Sequence, residues 1–480
     1  MNLKGNKQII LGIGWTSLST LVSGLTQILR LSILSRFLNK EDFGIVAILT
    51  FILGLTQVFS DLGFSASIMS ERELSRRSFL SLYWLQFIVF NSLMIIVALF
   101  SPFISHYYEL DNLQYLIPIV LLELFFLSLG KLYDTVLQKN MLFKVIAIRN
   151  IIAAFISLII GVLLAYFGYG VLSLIFSTLS QAAIVNIWNL IQGQSTYKLG
   201  FKNVSIAEAG NLVNVGLYQM GTQLVDYVAS KLDILIISNY LGVGALGIYN
   251  LAKELVLKFV MVVNTVTSKV MLPVLSNCSN NYVQLKNTFN SFLNNLSYLN
   301  TPIVGLVFLF SPFIVQIFYG SAYEEANEIV SIMSIWSLFV VLGQPNGLLA
   351  IVLKRTDISF YYTIVRLFTM LGLLYGFART SLFNAALTML FTYFIMFFVN
   401  WYLLLYRLLK IKLVEYMLIF AKSWIGVILA ISLVLIFRSF DFFEGKYSKL
   451  LFELIAYCTV LLLYLVIFNR KMLLSIIRKQ

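Results

Sequence analysis

Apolar stretches of about 20 residues recur along the whole chain, each long enough to cross a hydrocarbon core of roughly 30 Å as a helix. A helix is the only open-chain structure that satisfies its own backbone in lipid. Fourteen spans are predicted, at approximately residues 9–34, 43–69, 78–104, 113–136, 145–168, 170–192, 209–240, 244–272, 288–314, 329–353, 358–378, 382–406, 413–437 and 448–468. Lys4 and Lys7 precede the first apolar run as in a signal peptide, but the run is too long and no small-x-small cleavage site follows, so it reads as a span.

Composition agrees with this pattern. Hydrophobic residues make up 60% of the 480, charged residues 11%, and the mean hydropathy is +0.90, which places the chain among polytopic membrane proteins. The net charge of +13 would suggest nucleic acid in a soluble protein, but here the basic residues gather in alternate loops. With the N-terminus inside, 22 basic residues fall on one side and only Arg36, Lys40, Arg379, Arg438, Lys446 and Lys449 on the other, which predicts that both termini are cytoplasmic. Cys278 and Cys458 are far apart, without metal-ligand spacing, and His106 is the sole histidine, so no metal site or disulfide is expected.

A duplication underlies the pattern. The hexapeptide LFSPFI occurs at 99–104 and again at 309–314, an offset of 210. "SRFLNKEDFGIV" (35–46) matches "SNYLGVGALGIY" (238–249) at an offset of 203, and the basic positions Arg149 and Arg366 correspond at 217. The offset drifts in one direction, as small insertions produce. Six spans separate equivalent points, and an even number preserves orientation, so the repeats are parallel. The predicted architecture is all-α: two six-helix lobes (1–192 and 209–406), a cytoplasmic linker (193–208), and two additional C-terminal helices (407–480).

Within the first span Thr16, Ser19, Ser23, Gln27 and Arg30 recur every three or four residues, on one helix face. The repeat carries Ser19, Ser23, Gln27 and Arg30 onto Thr222, Asp226, Ser230 and Asp233. A polar face at membrane depth is tolerated only against protein or a water-filled cavity, because a central charge costs at least ~2.5–3.5 kcal/mol. These stripes predict an aqueous cavity lined by Ser19, Ser23, Gln27, Thr222, Asp226 and Ser230.

Further charges inside predicted spans are Glu123, Lys231, Lys253, Glu254, Lys258 and Arg366. Glu254 and Lys258 are spaced to pair with each other along one helix. Arg30, Lys231, Lys253 and Arg366 admit two readings: braces that pair with Asp226, Asp233 or Glu123, or ligands for an anionic head group such as a diphosphate. No phosphate-cradling loop is encoded, since "GKLYD" at 130 lacks its upstream glycine and following hydroxyl residue. "GIGW" at 12 lies in an apolar helix, and the acidic "YEEANE" reads as a solvated outer loop rather than a catalytic site.

The segment "SKLDILIISNYLGVGALGIYNLAKEL" (230–255) resembles the polysaccharide-transport branch, including the Wzx-type flippases, of the multidrug/oligosaccharidyl-lipid/polysaccharide exporter superfamily. Asp233, Ile237, Leu241, Gly242, Leu246, Gly247, Tyr249 and Ala252 fit that branch's pattern. "LSRFLNKEDFGIVA" is similar to the counterpart after its first helix through Phe43, Gly44 and Ala47, although the usual proline of that turn is absent, and Pro273 fits a Pro-x-x-Ser ending of the eighth helix.

The resemblance implies a bacterial inner-membrane flippase, not an enzyme, that moves an undecaprenyl-diphosphate-linked oligosaccharide repeat unit for O-antigen, capsule or exopolysaccharide assembly. Its partners would be that polyprenyl-linked glycan, membrane lipids, and the polymerase and chain-length regulator of the pathway. Arg30, Lys231, Lys253 and Arg366 would hold the head group. No cofactor is expected; a net direction requires product consumption or coupling to an H+ or Na+ gradient, for which Asp61, Glu123, Asp226 and Asp233 are the candidate carboxylates. The rival readings are a drug or metabolite exporter of the same superfamily and a membrane glycosyltransferase or polymerase.

Overall fold

The structure is a computed structural model describing residues 3–61, 63–70, 74–200, 206–439 and 445–468. Arg72, Lys202, part of the predicted linker (201–205) and the basic residues after position 468 lie outside the described residues.

Every regular element among the described residues is helical. In chain order they are α1 (Leu3–Leu34), α2 (Lys40–Ser60), α3 (Phe64–Ser70), α4 (Arg76–Leu99), α5 (Ser101–Tyr108), α6 (Leu113–Lys139), α7 (Phe143–Tyr166), α8 (Val171–Gly193) and α9 (Ile206–Leu241). They continue with α10 (Val243–Cys278), α11 (Tyr282–Leu309), α12 (Ser311–Phe318), α13 (Ala326–Val352), α14 (Thr356–Phe377) and α15 (Leu382–Asn400). A π-helical turn, Trp401–Tyr406, leads into α16 (Arg407–Leu409), followed by α17 (Leu413–Ser439) and α18 (Lys446–Phe468).

Twelve helices among the described residues are long and apolar enough to cross a membrane. The predicted seventh and eighth spans are α9 and α10, 36 residues each, and they carry Asp226, Lys231, Asp233, Lys253, Glu254 and Lys258. The chain is thus an all-α, multi-pass membrane protein.

Helix boundaries follow local chemistry. Asn39 starts α2, its backbone N–H donating to the Asp42 carboxylate at 3.0 Å, and Ser75 starts α4 by accepting from the Ser78 N–H at 3.0 Å. Gly242 alone joins α9 to α10, with φ of +83°, a conformation a side chain would strain.

Both copies of LFSPFI take one local form. The long helix stops at Leu99 or Leu309, and a short helix starts at the following serine. The Phe100 and Phe310 N–H groups donate to Ile96 and Leu306, and the Ile104 and Ile314 N–H groups donate back to Phe100 and Phe310. The third and ninth predicted spans thus each divide in two, with Pro102 and Pro312 in the first turn of the short helix, where a missing N–H costs no intrahelical bond.

Packing divides the chain into two compact units. The first comprises Met1–Leu251, Gln316–Glu324 and Thr363–Thr388. Within it α6 packs on α8, α1 and α8 on α7, α4 on α6, and α2 on α9. Glycines permit several of these approaches: a β-carbon on Gly130 would stand 2.7 Å from the Asn186 β-carbon, and one on Gly161 3.0 Å from that of Ser177.

The residues after α8 are anchored to the same unit. Tyr197 stacks on Phe79 with centroids 4.5 Å apart, and its hydroxyl donates to the Leu74 carbonyl at 2.9 Å. Trp84 Nε1 donates to Gly200 at 3.0 Å, and burial pushes the Tyr197 phenol above its ordinary value.

The second unit comprises Ala252–Val315, Glu325–Tyr362 and Met389–Gln480. Here α11 packs on α13 and α17, and α17 on α18. Buried hydroxyls hold α11 to α17, with Ser423 Oγ 2.5 Å from Ser297 Oγ and 3.2 Å from Thr301 Oγ1. The Tyr457 hydroxyl takes the Pro302 carbonyl at 2.8 Å.

Candidate functional site

A cavity of about 550 Å³ lies inside the first unit. Five helices line it: α1 through Gln27 and Arg30, α2 through Thr50 and Gln57, α6 through Glu123, α8 through Thr178, Gln181 and Asn186, and α9 through Tyr227 and Lys231. Valines, leucines, Ile175 and Gly54 fill the wall between these polar groups. The charged lining residues are two cations, Arg30 and Lys231, and one carboxylate, Glu123, a formal charge of +1.

The cationic wall is oriented from behind. Arg30 Nη1 donates to Ser177 Oγ at 3.2 Å, and that hydroxyl donates to the Ser157 carbonyl at 2.7 Å. Ser177 is fully buried against Gly161, so α7 and α8 together aim the guanidinium.

Across the cavity Gln57 Nε2 donates to Glu123 Oε1 at 3.4 Å. Tyr227 stacks on Phe51 at 6.0 Å and donates its hydroxyl to the Phe51 carbonyl at 3.0 Å. A side chain at Gly54 would occupy the space of the Tyr227 ring. Lys231 follows Tyr227 by four residues, which places both on the cavity face of α9.

Several predicted site residues lie elsewhere. Arg366 Nη2 donates to Asp226 Oδ1 at 2.7 Å, the brace that the sequence offered as the alternative to a head-group cation and a coupling carboxylate. Asp61 pairs with Lys131 at 2.8 Å. Asp233 is fully buried and accepts from the Tyr249 hydroxyl at 2.7 Å.

Lys253 belongs to the second unit, buried with its ammonium 5.6 Å from the Trp336 ring centroid. Glu254 and Lys258 form their own pair at 3.4 Å, as their spacing predicts. Ser19, Ser23, Thr222 and Ser230 do not line the cavity, and Ser230 Oγ returns to the Tyr227 carbonyl at 2.8 Å. Such back-bonding lets a hydroxyl stripe face protein without water.

The cavity residues absent from the sequence expectation are Thr50, Gln57, Thr178, Gln181, Asn186 and Tyr227. On α2 a signal existed: Thr50, Gly54, Gln57 and Asp61 repeat at four, three and four residues, one helix face. The glycine in that series hides it from a reading that looks only for polar side chains.

Comparison with known proteins gives this geometry a family. Residues 33–328 match the sequence model of a family described as polysaccharide biosynthesis protein. The chain is 26% identical over 359 residues to teichuronic acid biosynthesis protein TuaB of Bacillus subtilis, covering 74% of each chain. It is 23% identical over 363 residues to lipopolysaccharide biosynthesis protein WzxC of Escherichia coli, covering 75% of this chain and 73% of that one.

Among solved structures, the lipid II flippase MurJ in an inward closed conformation aligns with a TM-score of 0.78 at 18% identity, over 95% of this chain and 99% of MurJ. An inward-facing multidrug resistance transporter of the MATE family aligns with a TM-score of 0.65 at 13% identity, over 82% of this chain and 94% of that one. At these identities the structures show a shared fold. The chain belongs to the polysaccharide biosynthesis protein family, in the polysaccharide-transport branch that its loop motifs resemble.

Proposed function

We propose that this protein translocates a polyprenyl-diphosphate-linked oligosaccharide repeat unit across the bacterial inner membrane, with both termini cytoplasmic. The observation that carries the reading is one cavity, lined in part by four helices long and apolar enough to cross a membrane, whose wall presents Arg30 and Lys231 with Glu123 among neutral hydrogen-bonding groups. A diphosphate is met by charge-assisted hydrogen bonds, and Arg30, held by Ser177, presents a planar guanidinium to the cavity. Gln57, Thr178, Gln181 and Asn186 offer amide and hydroxyl partners to sugar hydroxyls. The polyprenyl tail stays in lipid.

Glu123 is the one coupling candidate on the cavity wall, so an H+ or Na+ gradient would act there. Asp61 and Asp226 are already ion-paired. The protein acts as a transporter without catalysing bond formation, beside a polymerase and a chain-length regulator. A drug exporter taking cationic substrates fits less well, because the wall carries more positive than negative charge.

The test is Arg30→Gln and Lys231→Gln, singly and together, in a strain whose surface glycan depends on this chain. The double variant should insert at parental level yet export no glycan, while Lys253→Gln, outside the cavity, should still export. Parental surface glycan from the double variant refutes the reading.

A further inference from the structure

Three arginines were assigned to the side poor in basic residues, the outer side in the proposed orientation. Two have protein acceptors. Arg36 donates through Nη2 to the Ile317 carbonyl at 2.8 Å, and Arg438 holds Glu453 through Nε and Nη2 at 3.1 and 2.9 Å.

Arg379 differs. Its guanidinium lies 4.5 Å from the Tyr240 ring centroid and 3.3 Å from that of Tyr375 and hydrogen-bonds the Tyr375 hydroxyl, while Nε and Nη2 are buried without an acceptor among the described residues. These two atoms form the side-on fork that Arg438 uses on Glu453. A guanidinium stacked on aromatic faces keeps its charge, and its unused fork matches an oxyanion held by two parallel bonds.

The surroundings indicate which oxyanion. Tyr240 and Tyr375 lie in the last turns of α9 and α14, and the two residues are 46% and 60% exposed. Helix ends rich in tyrosine lie at the head-group level of a bilayer, where lipid phosphates are the abundant anions. Asn239 donates to the Tyr107 hydroxyl at 2.8 Å, fixing α5 beside the same corner.

We propose that Arg379, walled by Tyr240 and Tyr375, binds a lipid-borne phosphate in the outer leaflet. The exposed Tyr375 ring swings aside to admit the phosphate oxygens to the fork. The phosphate comes from an anionic phospholipid or from the diphosphate of the translocated lipid, and only the second source rests on the function proposed above.

The experiment uses the full chain in detergent micelles and counts retained lipid by native mass spectrometry. The probes are phosphatidylglycerol, phosphate-free diacylglycerol, and undecaprenyl diphosphate, the last in an Arg30→Gln/Lys231→Gln background that silences the cavity. Arg379→Gln should weaken retention of a phosphate probe about tenfold or more, with diacylglycerol unchanged. Arg379→Lys should restore little of it, because an ammonium lacks the planar fork.

Loss with phosphatidylglycerol alone assigns the site to phospholipid, loss with undecaprenyl diphosphate alone assigns it to the substrate lipid, and loss with both assigns it to either phosphate. Tyr375→Ala, which uncovers the fork, should retain the same probe at least as well as the parent, and a loss would count against the proposal. Parental retention of both phosphate probes by Arg379→Gln overturns the proposal, as does an equal loss of diacylglycerol. Because the phosphatidylglycerol arm needs no translocation, its failure is separable from failure of the flippase reading.

Discussion

The crossing of α2 and α10 offers a perturbation whose size follows from backbone geometry. Gly44 and Gly247 are 203 residues apart and equivalent in the repeat, and each lies against the start of the other's helix. A β-carbon on Gly44 would stand 2.7 Å from Val243 Cγ1 and 2.8 Å from the Val243 carbonyl carbon. One on Gly247 would stand 2.9 Å from the Lys40 carbonyl carbon and 3.0 Å from the Gly44 nitrogen.

Favourable carbon contacts lie near 3.5–4.0 Å, so one methyl group forces the helices apart by roughly 0.5–1 Å. Overpacking of this kind costs about 1–3 kcal/mol, and the backbone obstacle puts both sites in the upper part of that range. Alanine returns about 0.5–1 kcal/mol of helix propensity, leaving a net loss of about 1–2 kcal/mol for each substitution. The separation forced by the first methyl also makes room for the second. The double variant should therefore cost less than the sum by about 1 kcal/mol.

Gly14→Ala is the control, because no atom lies within 4 Å of the methyl it would add. It should stabilise by a few tenths to about 1 kcal/mol. Chemical unfolding in micelles, followed by tryptophan fluorescence and circular dichroism, measures all four proteins. Losses that simply add, or crossing variants that behave like Gly14→Ala, would refute the reciprocal packing.

Two further predictions concern ion pairs of different burial. Arg149 is 2% exposed, pairs with Asp134 at 2.8 Å and also donates to Asn150 and Asn189; Arg149→Met should cost about 3–5 kcal/mol in the same unfolding assay, and Arg149→Lys should recover less than half of that. The Asp226 carboxylate is 56% exposed, so Asp226→Asn should shift stability by less than about 1 kcal/mol and leave glycan export intact; a loss above 2 kcal/mol would contradict the structure.

The sequence carried the fold far and the site partway. Gln27, Arg30, Glu123 and Lys231 were legible as cavity candidates because polar side chains at membrane depth are costly and therefore face protein or water. Asp226 was legible as a brace for one of four cations, but not which one, since helix spacing gives a residue's face and not the helix opposite; the structure pairs it with Arg366, 140 positions away. Arg149, a basic position of the repeat, is a buried residue of α7, because Asp134 and Asn189 on α6 and α8 satisfy it. Lys253 lies buried beside the Trp336 indole ring, a neighbour no spacing rule reveals.

What the sequence determined by itself is local: apolar length set the helices, because a backbone in lipid must bond within its own segment. The duplicated segments also fixed which glycines, Gly44 and Gly247, are equivalent. Only the tertiary structure decided which polar faces meet. That choice depends on how far each helix turns about its axis and how closely its glycines let a neighbour approach, quantities set by packing the whole unit at once.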